Sequence, residues 1–284
     1  MKKQTIRKAV IPAAGNGTRF YPITKAQPKE MLPVVDKPVI QYVVEEAIQS
    51  GLEDILIITG KNKRAIEDHF DHTPEQFHPT NMDSENPGIF DEWPDIHYIR
   101  QKTPRGLGDA ILHARRHCDD EPFAVLLGDT ITVPKSGTMT CTSQLMDGFQ
   151  SYGSSVVAIE KIQNEHIPKY GIIRGTLINQ NFYSVQEVVE KPSVETAPSD
   201  MGIIGRYILV PEIFDALKET SPGYGNEIQL SDALNLLDAR IGQITNCTRY
   251  DIGDKVGWMK ASIALALERE EFRYELSPYL KIFS

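Results

Sequence analysis

The sequence has little that would support a disulfide framework, a zinc site or a membrane span. Its three cysteines, Cys118, Cys141 and Cys247, are odd in number and far apart, so they suggest neither paired disulfides nor a CxxC site. The seven histidines show no HExxH motif or paired spacing, which argues against zinc. No apolar run reaches the length of about 18 residues that a spanning helix needs. We therefore expect reduced, partly buried thiols and no membrane association.

The N-terminal segment also lacks the features of a secretion signal. Met1–Lys8 is basic but is not followed by a long apolar core or a small-residue cleavage site. Together with the isolated cysteines, this segment predicts a cytoplasmic protein.

The charge balance is acidic, with a formal net charge of -9. Because a negative chain repels nucleic-acid backbones, nonspecific binding to DNA or RNA is disfavoured, and we expect no nucleic-acid partner. An acidic protein that binds a polyanion has to gather its cations locally. A polyanion-binding site is therefore expected where lysine and arginine lie close to glycine.

Apolar periodicity in the first 70 residues alternates between strand and helix. It predicts strands at Lys8 to Pro12 and Asp54 to Thr59, and helices at Pro38 to Ser50 and Lys61 to Phe70, the first helix with Asp36 as a possible N-cap. This alternation is typical of a parallel sheet with helices on its faces. We predict an α/β, Rossmann-like mixed sheet, mostly parallel, with helices on both faces.

Later segments bring antiparallel features into this pattern. A polar turn at residues 179–181 separates predicted strands at Gly171 to Gly175 and Phe182 to Val189, so a hairpin is expected. The segment His72 to Asp95 is irregular and rich in proline. Other predicted elements are strands at Ile96 to Arg100, Phe123 to Leu127, Ser154 to Glu160, Ile203 to Val210 and Gln243 to Tyr250, and helices at Leu107 to Cys118, Thr142 to Tyr152, Pro211 to Thr220, Gln229 to Ala239 and Asp254 to Glu271. No clear linker divides the chain, so one continuous domain is expected.

A glycine-rich loop follows the first strand, in the order Ala13, Ala14, Gly15, Asn16, Gly17, Thr18, Arg19. Two glycines allow a tight turn whose N–H groups can surround an anion. The spacing differs from a Walker A loop, and Phe20 stands where a dinucleotide fingerprint has its third glycine or alanine. On this motif alone, a purely structural turn stays an alternative to a phosphate loop.

A second cationic stretch lies just downstream. Pro28 and Pro33 stiffen the segment that carries Lys29, and Lys25 and Arg19 are close in sequence. A solvated charged loop is the alternative. Ligands of α/β sheets, however, bind at the carboxyl ends of strands, where this segment is expected.

These segments resemble the signature of the sugar-1-phosphate nucleotidyltransferases, and in particular of the bacterial-type UTP–glucose-1-phosphate uridylyltransferases (UDP-glucose pyrophosphorylases), a group with a glycosyltransferase-A-like fold. The matches run from about residue 9 to about residue 260. They comprise residues 10–19, 28–38, 106–110, 127–129, 169–171, 189–192, 204–207 and 225–233. The resemblance implies transfer of a nucleotidyl group from UTP to glucose 1-phosphate, with release of pyrophosphate. Two places depart from it: Asp109 stands where many uridylyltransferases have histidine, so it is assigned no role, and residues 72–95 do not match well.

The resemblance also implies a division of the chain and of its site. We expect one domain over residues 1–284, with a nucleotide-binding half at about 1–135, a sugar-phosphate-binding half at about 136–253 and a C-terminal helix at about 254–271. Arg19, Lys29 and Lys191 are the expected catalytic cations. The expected nucleotide-binding residues are Ala13, Ala14, Gly15, Gly17, Thr18, Gln101 and Gly106.

Two aspartates are expected to hold Mg²⁺. Asp129 follows a buried strand and Gly128, and a carboxylate at the end of a strand is well placed for a metal that takes one or two carboxylates plus phosphate oxygens. Asp251 resembles the family's second metal carboxylate. A turn aspartate at the first position and an N-cap at the second remain alternatives.

The sugar-phosphate side is expected at Gly171, Glu190 and Lys191. In the family, the glutamate takes sugar hydroxyls and the lysine holds the phosphate of the sugar, which suits a carboxylate and an ammonium group. Gly171 resembles a backbone contact to the sugar. Glu227 and Gln229 have two open roles, sugar contact or helix capping.

The base is expected at Gln101, whose amide offers a donor and an acceptor for the O4 and N3–H edge of uracil. Thymine has the same edge, so a dTTP-specific enzyme, or one that uses another sugar phosphate, is the alternative with the same chemistry. A catalytically silent regulatory relative and an NAD-dependent sugar enzyme are alternatives of other classes. The retained cations and Asp129 argue against the first, and Phe20 against the second. Relatives form homo-oligomers, so a dimer or tetramer through Asp254 to Glu271 is expected.

Overall fold

The computed structural model describes residues 5–71 and 93–283. In these ranges the strands are β1 Lys8–Pro12, β2 Pro33–Val34, β3 Lys37–Pro38, β4 Asp54–Thr59, β5 Asp95–Arg100, β6 Phe123–Leu126, β7 Thr130–Pro134, β8 Ser155–Lys161, β9 Gly171–Asn179, β10 Phe182–Glu190, β11 Met201–Leu209, β12 Arg240–Ile244 and β13 Cys247–Asp251. The helices are α1 Val39–Gln49, α2 Arg64–Phe70, α3 Leu107–Leu112, α4 Arg115–Cys118, α5 Cys141–Tyr152, α6 Ile213–Glu219, α7 Leu230–Leu234, α8 Lys255–Glu268 and α9 Glu270–Leu280.

Nine of these strands form one sheet in the order β5-β4-β1-β6-β11-β8-β12-β10-β9. The pairs β5–β4, β4–β1, β1–β6 and β12–β8 are parallel, whereas β10 and β11 run against their neighbours. An extra pairing of β9 with β11 closes the last five strands into a ring. The expectation of a mixed, mostly parallel α/β sheet is confirmed.

Both faces of this sheet are covered by helices. On β1, Ala9 and Ile11 pack into a core with α1 and α5, while Val10 points to the opposite core with α3, α6 and α7. A strand buried on both faces must be apolar throughout, which is why β1, β4 and β6 read as continuous apolar runs. Fully burying one such aliphatic side chain contributes roughly 1.5–3 kcal/mol, so these strands are the rigid base of the molecule.

Helix α1 begins differently from the sequence expectation. Its N-cap is Pro38, with no side-chain cap, and Asp36 instead accepts a hydrogen bond of 2.8 Å from Arg269. The prediction of Asp36 as N-cap is therefore wrong. The reason is that β2 and β3 form a tight hairpin here, with Val35 in the left-handed region, so that Asp36 lies in the turn rather than at the helix start.

Several other predicted elements are divided in the structure. The expected strand from Gln243 to Tyr250 is two strands, because Asn246 donates its N–H to Oε1 of Gln144 and the chain leaves the main sheet. Strand β13 then pairs antiparallel with β7 as a separate ribbon. The expected helix from Leu107 to Cys118 is likewise divided into α3 and α4.

The ends of the chain also differ from expectation. The predicted C-terminal helix ends at Glu268 and a second helix, α9, follows it, while α7 is shorter than predicted. Of the irregular loop predicted over His72 to Asp95, residues 72–92 lie outside the described residues. Asp95, its last residue, is already the first residue of β5. Within residues 5–71 and 93–283, none of the helices combines the length and apolar character that crossing a bilayer requires.

Candidate active site

The glycine-rich loop leaves the carboxyl end of β1 at the middle of the sheet. Ala13 is buried and donates its N–H to the carbonyl of Ile58 on β4, at 2.9 Å. Gly17 has φ +62, and a β-carbon there would come within 3.0 Å of Thr24, whose hydroxyl donates to the Gly17 carbonyl. Since that backbone favours glycine, the tight turn predicted from the sequence is present.

Lys29 lies directly beside this loop. A β-carbon on Gly15 would be 3.9 Å from Cε of Lys29, and the Lys29 ammonium donates to Oδ2 of Asp129. Burial alone would lower the pKa of Lys29, but the charges of Asp129, Glu30 and Asp251 outweigh burial and raise it. Lys29 is therefore held as a cation at the junction of loop and carboxylate, whereas Lys25 lies on an exposed turn.

The two aspartates predicted as metal ligands are brought together by the β7–β13 ribbon. Asp251 pairs in register with Thr130, and the N–H of Ile252 donates to the backbone carbonyl of Asp129 at 2.9 Å. Burial would raise the pKa of Asp129, but Lys29 outweighs it and holds that pKa below its ordinary value. One carboxylate just before β7 and one at the end of β13 therefore lie at the same end of the ribbon.

The donor set fits a hard divalent cation. In the described parts of the chain, no group of three or more His, Cys, Asp or Glu side chains could hold a metal. Zinc in proteins usually has three or four protein ligands, whereas Mg²⁺ commonly takes one or two carboxylates and completes its shell with phosphate oxygens and water. Helix capping does not account for Asp251, because Asp254 caps α8 by accepting the N–H of Gly257.

Two residues that the sequence analysis did not select hold Asp251. Tyr170 donates its hydroxyl to Oδ2 of Asp251, and the Arg249 guanidinium lies 3.4 Å from the same oxygen. Burial, reinforced by Asp251, raises the pKa of Tyr170 to about 12, so it remains a donor at neutral pH. The two-residue period of a strand places Arg249 on the same face as Asp251, which is the signal that could have found it.

Beneath Asp129 lies a third missed residue, Arg206. It is fully buried and donates to the backbone carbonyl of Thr130 at 2.7 Å and to Oε2 of Glu46 at 2.8 Å. It thus fixes the turn that carries Asp129 against α1. Resemblance marked residues 204–207, but the sequence offered no partner for the guanidinium.

Glu190 and Lys191 lie at the end of β10, as predicted. Ser231 donates to Oε2 of Glu190 at 2.7 Å, and the Lys191 ammonium is 3.2 Å from Oε1. Lys191 has φ +46, a left-handed conformation that turns its side chain out of the strand direction. A β-carbon on Gly171 would be 3.2 Å from Oε2 of Glu190, so glycine keeps the space beside that carboxylate open.

One cavity of about 260 Å³ joins these parts. Its lining includes Arg19, Asp129, Asp251, Gly171, Glu190 and Lys191. Glu227 and Gln229 also line it, and Gln229 makes no side-chain cap on α7, so helix capping does not account for this residue. The predicted metal and sugar-phosphate residues therefore surround a single space.

The remaining nucleotide residues lie along the adjoining edge of the sheet rather than in that cavity. Gln101 follows β5, and its backbone N–H donates to the backbone carbonyl of Thr59 on β4 at 2.8 Å. Gly106 has φ +109, and a β-carbon there would collide with the Ile228 carbonyl at 2.6 Å. The sequence analysis expected both side-chain amide atoms of Gln101 to contact a base. The amino group already donates to Asp109, so only the oxygen is left for that contact.

The chain is similar to known proteins over nearly its whole length. The family model described as nucleotidyl transferase matches residues 8–264. The UTP–glucose-1-phosphate uridylyltransferase YngB of Bacillus subtilis (strain 168) is 51% identical, over 98% of this chain and 96% of its own. A UDP-glucose pyrophosphorylase complexed with UDP-glucose superposes with a TM-score of 0.87 at 44% identity, over 93% of this chain and 100% of its own. The UTP-bound enzyme from Acinetobacter baumannii gives 0.84 at 32% identity, over 97% and 99%.

Proposed function

The chain belongs to the nucleotidyl transferase family, and from that premise we propose that it transfers a uridylyl group from UTP to glucose 1-phosphate, giving UDP-glucose and pyrophosphate. The observation that carries the proposal is the single cavity in which two carboxylates, Asp129 and Asp251, face Glu190 and Lys191. Its relatives of the same reaction cover nearly the whole chain.

The reaction brings two polyanions together. An oxygen of the sugar phosphate attacks the α-phosphorus of UTP, and the bond from that phosphorus to the bridging oxygen of the β-phosphate breaks. No covalent intermediate with the enzyme is needed, so positioning and charge neutralisation supply the catalysis. Arg19 and Lys29 supply positive charge on the triphosphate side, and Lys191 supplies it on the side of the sugar phosphate.

Family members generally use a divalent metal. We assign Mg²⁺ to Asp129 and Asp251, because the pair offers oxygen ligands only and leaves the rest of the coordination shell to phosphate and water. When bound, the ion neutralises charge on the triphosphate and the departing pyrophosphate. Lys29, which donates to Asp129 and lies beside the glycine-rich loop, would contact the same phosphates.

Backbone groups hold the nucleotide and side chains hold the sugar. Ala13 anchors the turn, because its N–H donates to the carbonyl of Ile58. The N–H groups of Ala14, Gly15, Gly17 and Thr18 face the phosphates, while Gln101 and Gly106 take the base. Glu190 accepts hydrogen bonds from sugar hydroxyls, because its Oε1 and Oε2 atoms need donors beyond Lys191 and Ser231. Gly171 leaves room for the sugar ring.

The test is a pyrophosphate-release assay. The purified protein, Mg²⁺, UTP and glucose 1-phosphate are mixed, and dTTP, CTP and other sugar 1-phosphates are offered in parallel. We expect UTP with glucose 1-phosphate to give the fastest release. A folded protein that releases no pyrophosphate from this pair would refute the proposal.

We also propose a homo-oligomer in the cytoplasm. Helix α8 exposes Val256, Met259 and Ile263, an apolar set that a second copy of the chain would cover. The three free cysteines suit a reducing compartment. Light scattering after size-exclusion chromatography should give a dimer or tetramer, and replacing Met259 with glutamate should shift the mass toward the monomer.

A further inference from the structure

Asp109 and Gln101 form a buried pair next to the proposed base site. Gln101 is 3% exposed and Asp109 is 1% exposed. Nε2 of Gln101 donates to Oδ2 of Asp109 at 2.6 Å. Asp109 stands where many uridylyltransferases have histidine.

Asp109 allows only one orientation of the amide. A carboxylate accepts hydrogen bonds and cannot donate them, so the amino end of Gln101 must face it. The other oxygen, Oδ1, is held by the guanidinium of Arg105 at 2.7 Å. Turning the amide over would set the Gln101 oxygen against the carboxylate, leaving two buried acceptors without a donor.

In this orientation only the side-chain oxygen of Gln101, Oε1, is left to contact a base. The amino group of Gln101 is used by Asp109, with the Gly106 carbonyl 3.5 Å away on its other side. Among the described residues no donor reaches Oε1 of Gln101, and that atom is not sealed from the surroundings. Gln101 therefore presents an acceptor and no donor to a ligand.

We propose that Asp109 is a positioning residue for base selection: it holds Gln101 so that the enzyme accepts bases with an N3–H group and rejects cytosine. Uracil donates from N3, whereas cytosine has a lone pair at N3 and would meet Oε1 acceptor to acceptor. This inference rests on the proposed function, because it takes Gln101 as the base contact. A site built to receive a donor rejects an analogue that lacks it, since its own polar atom is then left unpaired.

The first experiment replaces Asp109 with asparagine, which has the same shape. An amide at this position can donate as well as accept, so Gln101 is free to turn over and present its amino group. The kcat/KM ratio of UTP to CTP is expected to fall about 10- to 100-fold, the range for one misplaced buried hydrogen bond. The matched control is Asp68→Asn, which removes a carboxylate from an exposed Arg64–Asp68 pair of the same i,i+4 spacing and should leave the ratio unchanged.

A merely structural role would lower turnover with both nucleotides equally. A folded Asp109→Asn protein with an unchanged UTP to CTP ratio would therefore overturn the proposal. Equilibrium binding to the wild-type protein gives a second test that needs no variant: UTP methylated at N3 should bind about 10-fold or more weakly than UTP. Equal binding of the two would also overturn it. If the wild-type protein binds UTP but does not turn it over with glucose 1-phosphate, the proposed function fails while the binding test still decides this inference.

Discussion

Replacing Arg206 with methionine should destabilise the protein strongly while preserving side-chain volume. Arg206 is fully buried, and its Nε and Nη2 atoms both donate to Oε2 of Glu46, at 3.0 and 2.8 Å. The substitution leaves the Glu46 carboxylate in the core with hydroxyl and N–H donors from Thr132 and Thr142 but without a countercharge. It also removes the donor to the Thr130 carbonyl, next to Asp129.

The expected loss of stability follows from removing one partner of a buried ion pair. Removing one partner of such a pair typically costs about 3–5 kcal/mol, because the other charge stays buried and unpaired. Whole domains are stable by only about 5–15 kcal/mol. For a chain of this size, the loss corresponds to a fall in melting temperature on the order of 10 °C.

The pH dependence of this loss identifies its cause. Burial would raise the pKa of Glu46, but Arg206 outweighs burial and holds it below the ordinary value. In the wild type, the stabilisation from this depressed pKa is complete above the unfolded pKa and is lost as pH falls through the folded one. Without Arg206, burial raises the pKa, and a protonated Glu46 no longer carries an unpaired charge. The deficit of the variant should therefore shrink between pH 7 and pH 5.

Urea denaturation followed by circular dichroism, at pH 7 and at pH 5, measures this deficit. The double variant Glu46→Gln with Arg206→Met should be more stable than Arg206→Met alone at pH 7. Arg64→Met, which breaks the exposed pair with Asp68, should cost less than about 1 kcal/mol. A single variant within about 1 kcal/mol of the wild type, or a deficit that does not change with pH, would refute the reasoning.

Three further predictions concern the site directly. Lys191→Ala should raise the KM for glucose 1-phosphate by about 10-fold or more and change UTP binding little, whereas the exposed Lys161→Ala should do neither; equal losses for both substrates would contradict the assigned role. Asp129→Asn should lower metal-dependent turnover by at least about 100-fold, measured as pyrophosphate release over a range of Mg²⁺ concentrations, and an active variant would remove Asp129 from the metal site. Gly106→Ala should cost at least about 2 kcal/mol in urea denaturation, because φ +109 and a 2.6 Å contact with Ile228 both oppose a β-carbon, and wild-type stability would contradict that backbone argument.

The central sheet was predictable because the apolar composition of its strands fits only one environment. The central residues of β1 and β4 and all of β6 are apolar, which fits only burial on both faces, and the bounds of the three strands agree closely with the sequence prediction. The hairpin of β9 and β10 was likewise marked by a polar turn, although both strands extend further than predicted. Local patterns of this kind are independent of distant residues.

What the sequence could not show depends on contacts made over long separations. The polar, partly buried strand β13 has a pattern much like the end of β12, and only its pairing with β7 separates the two. In the same way, Asp36 has the residue type of an N-cap, but the tertiary contact with Arg269 decides its position. Arg206 has no sequence neighbour that explains it, since its carboxylate partner Glu46 comes from α1. Arg249 has Asp251 two residues away, but its nearest carboxylate, Glu160, comes from β8.

The β7–β13 ribbon also has a consequence for how the protein is made. The ribosome releases the glycine-rich loop and Asp129 long before it releases Asp251, which lies on the last strand of the chain. Contacts that join distant segments form late, so a nascent chain can fold the first strands of the sheet while the second carboxylate is still unsynthesised. Of the two carboxylates proposed as metal ligands, an unfinished or prematurely terminated product therefore carries only Asp129.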